Sequence, residues 1–142
     1  MSTGRHLAGI LVVDDEPSVR DILKKRLEDS GFQVSTAADG VEAVDFCSHH
    51  GDEVAVVLLD IKMPRLDGPE TLERLKTLKR NLPVCFMTGH AGAYDPDELL
   101  ARGARHLFTK PFKLEEVVRV VSNLAGHGSS DGDDECGATP AS

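Results

Sequence analysis

The sequence predicts an α/β fold in which helices cover both faces of a parallel β-sheet. Several short apolar segments are unbroken rather than alternating, which is typical of strands buried on both faces. Segments with helical periodicity lie between them, so strands and helices alternate along the chain. A length of 142 residues suits one domain with one hydrophobic core. Because strand–helix–strand connections are right-handed, these units should form a single parallel sheet.

Five segments are predicted to be strands. The unbroken apolar segments are residues 10–13, 54–59, 84–87 and 107–108. Residues 32–36 alternate apolar and polar side chains instead. An alternating strand has one solvated face, so this segment should lie nearer an edge of the sheet.

Five helices are predicted to connect and follow these strands, at about residues 17–30, 40–50, 69–80, 96–102 and 114–124. Acidic residues and Pro17 precede the first helix, and Gly31 follows it. In the third helix, Leu72, Leu75 and Leu78 are expected to point inward. The apolar stripe of the last helix is wider than one buried face needs, so part of it should face a partner.

Composition and charge exclude several classes of partner. The chain has 24 acidic and 16 basic side chains, five Phe, one Tyr and no Trp. A net charge of −8 and so few aromatic rings disfavour direct nucleic-acid binding and anionic membranes. Three cysteines without the spacing of a zinc site and the lack of a long apolar run predict a reduced, soluble, cytoplasmic protein.

The chain is expected to have three parts, of which only the central one is a folded domain. Residues 1–7 form an N-terminal extension, and residues 8–125 form the folded domain. Residues 126–142 are rich in Gly, Ser and Asp and carry half of the net negative charge, which predicts a disordered acidic tail. Since so few residues follow the last helix, the chain is expected either to act alone or to be part of a longer regulator.

Polar side chains follow four of the predicted strands at the point where each ends. They are Asp14, Asp15 and Glu16 after the first strand, Asp60 after the third, Thr88 at the end of the fourth, and Lys110 after the fifth. In open parallel sheets, ligands collect at this edge. Clustered carboxylates repel one another, and a divalent cation relieves that repulsion. Oxygen-only ligands predict a Mg²⁺ site.

These residues resemble the response-regulator receiver domain of bacterial two-component signalling, including its chemotaxis members. The matching motifs span about residues 8–125 in family order, at residues 12–17, 58–68, 87–90, 103–104 and 109–112. The resemblance implies a flavodoxin-like, doubly wound (βα)₅ fold with a five-stranded parallel sheet of order 2-1-3-4-5.

The resemblance also implies a role for each site residue. Asp60 would accept a phosphoryl group from a histidine kinase or a histidine phosphotransfer protein. Asp15, Asp60 and the backbone carbonyl of Lys62 would bind Mg²⁺, with Asp14 acting through water. Lys110 and Thr88 would stabilise the phosphoryl oxygens, and the Lys110–Pro111 bond would be cis. Such a domain is not an enzyme in the usual sense, because it catalyses only its own phosphorylation and dephosphorylation.

Four further residues are expected to modulate the response. Leu107 stands where the family usually has a switch aromatic, and Phe108 should point to the opposite face of its strand. Gly89 begins the loop after Thr88, which phosphorylation should order. Lys62 and His90 would flank the path of the hydrolytic water and shield the acyl phosphate, so that autodephosphorylation is slow. The face formed by the fourth helix, fifth strand and fifth helix would contact a downstream protein or a second copy of the chain.

Three other functions compete with this one for the same residues. A Mg²⁺-dependent aspartyl-phosphate phosphatase would carry a second Asp two residues after the nucleophile, where this chain has Lys62. A dinucleotide-binding domain would have glycines in its first strand-to-helix turn, which is acidic here. A receiver-like interaction module that is never phosphorylated would not need the complete set of site residues. His49 and His50 fit the end of a helix, and Cys47 and Cys85 fit the core.

Overall fold

The computed structural model describes residues 8–62, 66–78, 81–89 and 95–126. The strands are β1 Gly9–Val13, β2 Gln33–Ala37, β3 Val56–Asp60, β4 Val84–Thr88 and β5 His106–Thr109. The helices are α1 Pro17–Asp29, α2 Gly40–His50, α3 Gly68–Leu78, α4 Pro96–Ala101 and α5 Leu114–Ala125. All strand pairs are parallel, in the order β2-β1-β3-β4-β5, which confirms the predicted fold.

The strand register aligns the carboxyl ends of the central strands. Val13 pairs with Leu59, Asp60 pairs with Met87, and Thr88 pairs with Thr109. The residues that follow β1, β3, β4 and β5 therefore emerge at one edge of the sheet. The alternating strand β2 lies at an end of the sheet, as its pattern predicts.

Two apolar layers enclose the sheet. One layer contains Ala43 and Cys47 of α2, Leu72 and Leu75 of α3, and Leu99 of α4. The other contains residues of α1 and α5, namely Leu23, Leu27, Val117 and Val121. Helices therefore cover both faces. Cys47 and Cys85 are buried, and neither forms a disulfide within the described part of the chain, in agreement with their interpretation as core residues.

Two local features differ from the sequence-based expectation. A 3₁₀ turn at Gly51–Glu53, in which the N–H of Val54 donates to the Gly51 carbonyl, delays the start of β3 to Val56. Leu78 does not point inward, since 45% of it is exposed. Each step of three residues falls about 60° short of a full helical turn, so Leu78 lies about 120° around the helix from Leu72.

The wide stripe of α5 is only partly covered. Val117 and Val121 are buried, whereas Val118, Val120 and Leu124 are half-buried. The helix ends at Gly126, whose positive φ of 70° is the left-handed conformation that favours glycine. None of the described helices has the length and hydropathy needed to cross a membrane. The predicted extension at 1–7 and the tail beyond 126 lie outside the described residues.

Candidate functional site

Asp14 is held by hydrogen bonds at each of its polar atoms. It is fully buried, and its N–H donates to the Ala37 carbonyl at 3.2 Å. Its carboxylate accepts from the backbone N–H of Glu16 at Oδ1 and from Lys110 Nζ at Oδ2, both at 2.9 Å. Its carbonyl accepts from Arg20 Nη1 at 2.6 Å. The sheet, the first turn of α1 and the end of β5 therefore fix this residue together.

Asp60 lies at the end of β3, where only 5% of its surface is exposed. The Ile61 N–H donates to the Met87 carbonyl at 3.0 Å, which continues the pairing of β3 with β4 past Asp60. The backbone N–H of Lys62 donates to the Asp60 carboxylate. The acidic side chain is therefore oriented by the strand before it and by the loop after it.

Burial and neighbouring charge make Asp60 a weaker acid than an exposed aspartate. Desolvation, followed by the charge of Asp14, raises the pKa of Asp60 from 3.8 to about 7, with Asp15 adding to the rise. The ammonium of Lys110 and the N–H of Lys62 oppose this rise but do not cancel it. Near neutral pH, the metal-free side chain is therefore present in both its protonated and its charged form.

Lys110 provides the positive charge among these carboxylates. Its Nζ lies 3.8 Å from Asp60 Oδ1 and 3.8 Å from Glu16 Oε1, in addition to its hydrogen bond with Asp14. Burial lowers the pKa of Lys110, but the Asp14 hydrogen bond and the surrounding carboxylate charges outweigh it, so the net change is upward. The side chain is therefore an ammonium at neutral pH. The Lys110–Pro111 peptide bond is cis, and the Lys110 N–H donates to the Thr88 carbonyl at 2.7 Å.

Asp14, Asp15 and Asp60 form an acidic cluster. Each offers one carboxylate oxygen, and these oxygens all lie within 4.8 Å of one another. Asp15 is exposed, whereas Asp14 and Asp60 are buried, so the cluster opens to solvent on the Asp15 side. An oxygen-only donor set of this kind suits a hard divalent cation such as Mg²⁺.

Gly68, the first residue of α3, lies very close to the backbone at Asp60 and Ile61. The N–H of Gly68 donates to the Ile61 carbonyl at 2.7 Å. A Cβ atom added at Gly68 would lie 2.7 Å from Ile61 Cα, 2.9 Å from the Asp60 carbonyl oxygen and 3.0 Å from the Phe86 ring. Only glycine therefore fits this close approach without displacing the backbone at the end of β3.

The structure places most of the sequence-predicted residues at this edge of the sheet. Thr88 is buried at the end of β4, and Lys62 and Gly89 are exposed in the adjoining loops. Leu107 packs against one apolar layer and Phe108 lies in the other, so the two side chains point to opposite faces of β5. His90 lies outside the described residues. His49 and His50 end α2, which leads through the 3₁₀ turn to the amino end of β3, whereas Asp60 lies at the carboxyl end of that strand.

Sequence reasoning did not identify Arg20 or the packing role of Gly68. Arg20 lies one helical turn after Glu16, and that spacing places it above the start of α1. An isolated arginine at this spacing is common on solvated helix faces, so the pattern alone carries little signal. Gly68 belongs to the motif at residues 58–68, but its close contact with the end of β3 is evident only from the backbone geometry.

Comparison with known proteins identifies the family to which this fold belongs. The family model of the response regulator receiver domain matches residues 10–122. This range includes Asp60, Thr88, Lys110 and the acidic loop, which is formed by Asp14, Asp15 and Glu16 between β1 and α1. The chain belongs to the response regulator receiver domain family. The transcriptional regulatory protein PrrA of Mycobacterium tuberculosis is 37% identical to this receiver over 131 residues, covering 92% of this chain and 55% of PrrA. The receiver spans about half the length of the curated relatives it matches.

Solved receiver structures share the same architecture. A response regulator receiver domain protein from Clostridium thermocellum superposes with a TM-score of 0.80 at 29% identity, covering 84% of this chain and 95% of that one. The receiver domain of the sensor histidine kinase PA1611 from Pseudomonas aeruginosa has a TM-score of 0.76 at 27% identity, with coverages of 84% and 98%. In that protein a magnesium ion is coordinated in the active-site cleft.

Proposed function

We propose that this receiver accepts a phosphoryl group on Asp60 in a Mg²⁺-dependent reaction. The observation that carries the proposal is the convergence of three carboxylates within 4.8 Å, with Lys110 hydrogen-bonded to one of them and 3.8 Å from Asp60. A phosphoryl group carries negative charge on its oxygens, so its transfer requires nearby positive charge. The protein supplies one such charge, and its acidic cluster offers a site for another.

Asp60 would act as the nucleophile. One carboxylate oxygen would form a bond to phosphorus as the bond between phosphorus and the donor breaks, giving an aspartyl phosphate. Only the charged carboxylate is a useful nucleophile, and the pKa of about 7 leaves part of the metal-free population protonated. A cation bound beside Asp60 would favour the charged form and so prepare the group for attack.

The residues present fit a magnesium ion. Asp15, Asp60 and the backbone carbonyl of Lys62 would hold it, and Asp14 would contact it through water. When bound, Mg²⁺ supplies charge neutralisation for the phosphoryl oxygens. The ion in the structurally similar PA1611 receiver supports this assignment. The exposed side of the cluster, at Asp15, gives the ion and the donor a route of entry.

Four other residues would support or modulate the reaction. Lys110 would place its ammonium against the phosphoryl oxygens, and Thr88, which precedes Gly89, would donate its hydroxyl to one of them. Lys62 and His90 would shield the acyl phosphate from water, which makes its hydrolysis slow. Lys62 also stands where a phosphatase of this chemistry would need a second Asp, so we do not propose turnover of phosphomonoesters.

The partners of this receiver would be proteins. The phosphoryl donor would be a histidine kinase or a histidine phosphotransfer protein in the cytoplasm, and a downstream protein would recognise the face formed by α4, β5 and α5. Val118 and Leu124 leave apolar surface on α5 for this contact, which a second copy of the chain could also use. The match covers only 55% of PrrA, so we do not propose a role in transcription for this chain on the basis of that relative.

A labelling experiment tests the proposal. The purified chain is incubated with a radiolabelled small acyl phosphate, with Mg²⁺ or with a chelator. Wild type should incorporate label only with Mg²⁺, and Asp60→Asn should incorporate none. Asp52→Asn, which changes an exposed carboxylate in the 3₁₀ turn, is the matched control and should behave as wild type. Label that survives Asp60→Asn, or that forms without a metal, would contradict the proposal.

A further inference from the structure

Asp15 is the least constrained residue of the acidic cluster. Its side chain is exposed and accepts no hydrogen bond from any other residue that the structure describes. Asp14, in contrast, is fixed at both carboxylate oxygens. The direction of the Asp15 side chain therefore depends on the peptide plane that joins Asp14 to Asp15. The carbonyl of that plane is the group to which Arg20 Nη1 donates at 2.6 Å.

The start of α1 lacks the side-chain contact that usually holds a helix to the loop before it. Its N-cap residue, Glu16, makes no capping hydrogen bond, whereas Asp39 and Asp95 cap α2 and α4 through their side chains. Arg20 supplies the missing connection in another way. Its backbone N–H donates to the Glu16 carbonyl at 3.2 Å while its guanidinium holds the Asp14 carbonyl. One residue therefore ties both ends of the acidic loop to the first turn of the helix.

We propose that Arg20 is a positioning residue for the cation site, acting through the Asp14 carbonyl to orient Asp15. The inference rests on the proposed function, because it concerns the same Mg²⁺ site. The guanidinium makes no other hydrogen bond or ion pair within the described part of the chain, so its single contact is with this carbonyl. Groups that orient metal ligands without touching the metal commonly contribute about tenfold or more to metal affinity.

The charge of Arg20 and its contact with the Asp14 carbonyl should have opposite effects on Mg²⁺ affinity, which makes the inference testable. A positive charge beside an acidic site repels a second cation, so removal of the charge alone should tighten Mg²⁺ binding. Loss of the carbonyl contact should weaken Mg²⁺ binding, because Asp15 would no longer be held in place. The sign of the change in affinity therefore distinguishes the two roles. A residue that only stabilised the fold would change the melting temperature and leave the affinity unchanged.

The experiment measures Mg²⁺ binding to the full chain by titration calorimetry, together with the melting temperature. Arg20→Met should weaken binding by about tenfold. Arg20→Lys, which keeps the charge and one donor, should recover most of the affinity. Arg26→Met is the matched control, because it removes the same charge from the same helix and its side chain makes no hydrogen bond to another described residue. Its affinity should be unchanged or slightly tighter.

Unchanged or tighter binding in Arg20→Met would overturn the inference. If that variant does not fold, Arg20→Gln takes its place, because the shorter amide should not reach the Asp14 carbonyl. Weaker Mg²⁺ binding in Arg20→Gln would then support the inference, and unchanged or tighter binding would overturn it. The loss of Mg²⁺ affinity in Asp15→Asn shows how large the effect is when the proposed ligand itself is changed. A wild-type chain that binds no Mg²⁺ would overturn the proposed function and this inference together. Loss of binding in Asp15→Asn without loss in Arg20→Met would overturn the inference alone.

Discussion

Lys110 Nζ donates a hydrogen bond to Asp14 Oδ2 at 2.9 Å, and the two residues are separated by 96 positions in the sequence. The same ammonium lies 3.8 Å from Asp60 Oδ1. In the metal-free protein, one lysine therefore partly neutralises two buried carboxylates. A divalent cation that entered the cluster would have to share these carboxylates with the lysine, so we expect Lys110 both to stabilise the metal-free site and to compete with the ion.

Replacement of Lys110 should separate these two effects. Lys110→Met leaves the buried Asp14 carboxylate without its charged partner, which should lower the free energy of unfolding in chelator by about 1–3 kcal/mol. Mg²⁺ should bind more tightly than in wild type, because the competing charge is gone, while phosphorylation should slow. Denaturant unfolding and calorimetry measure the first two effects. Lys113→Met, an exposed change nearby, should alter neither, and weaker Mg²⁺ binding in Lys110→Met would contradict the interpretation.

The raised pKa of Asp60 predicts that the free energy of unfolding of the metal-free protein depends on pH. Because the pKa is about 7 in the folded protein and 3.8 for the unperturbed group, the folded state holds an extra proton between these values. The stability of the metal-free protein should therefore fall as the pH rises from about 4 to about 7, and the loss should persist at higher pH. Asp60→Asn removes this loss, so the variant should be more stable than wild type by about 2–4 kcal/mol at pH 8.

Urea unfolding in chelator at pH 4.5 and pH 8 measures this difference. The advantage of Asp60→Asn should be small at the lower pH and full at the higher one. Asp52→Asn, which changes an exposed carboxylate, should give the same small difference from wild type at both values. An advantage of Asp60→Asn that does not vary with pH would show that the substitution acts through packing instead of charge.

The close approach at Gly68 predicts an effect on both stability and reaction. In Gly68→Ala, the new methyl group would press on the backbone at Asp60 and Ile61, where the nearest atom is 2.7 Å away. Overpacking of this kind should cost about 1–3 kcal/mol and should also slow phosphorylation, because the acceptor moves. In Gly51→Ala the Cβ meets no atom within 4 Å, and the backbone there is already helical. That control should be neutral or slightly stabilising.

Thermal unfolding and the labelling rate of the two alanine variants can be compared directly. The result expected for Gly68→Ala is a lower melting temperature together with slower labelling, even under conditions in which the variant is fully folded. Normal labelling by a folded Gly68→Ala chain would mean that the backbone shift does not reach the acceptor carboxylate.

The absence of an aromatic ring at position 107 predicts a local response to phosphorylation. Leu107 packs against one apolar layer and Phe108 lies in the other, so Phe108 cannot take over the missing role. Hydrogen exchange of the phosphorylated chain should therefore change mainly at residues 89–94, and little across α5. Leu107→Tyr should extend the change to α5. Asp60→Asn treated with the same donor is the control, and equal protection across Leu114–Ala125 in wild type would refute this expectation.

The fold and the main side chains of the site follow from the sequence because both depend on strand patterning. Unbroken apolar segments mark the buried strands, and parallel strands bring the residues after them, such as Asp60 and Lys110, to one edge. Contacts made by side chains on a solvated helix face have no comparable pattern, which is why Arg20 was missed. The start of β3 was misplaced for a related reason, since Val54 and Ala55 extend the apolar segment although the preceding 3₁₀ turn sets the boundary.

The long sequence separation between Asp14 and Lys110 has a consequence for the newly made protein. A ribosome completes the acidic loop and Asp60 well before it reaches position 110, so a growing chain displays the acceptor without its lysine. In the described sheet, β5 is the edge strand beside β4, and it is also the last of the five strands along the chain, so the lysine is made after the rest of the sheet. Under the proposed function, a growing chain that contains Asp60 but not yet Lys110 should therefore accept phosphoryl groups more slowly than a chain that contains both.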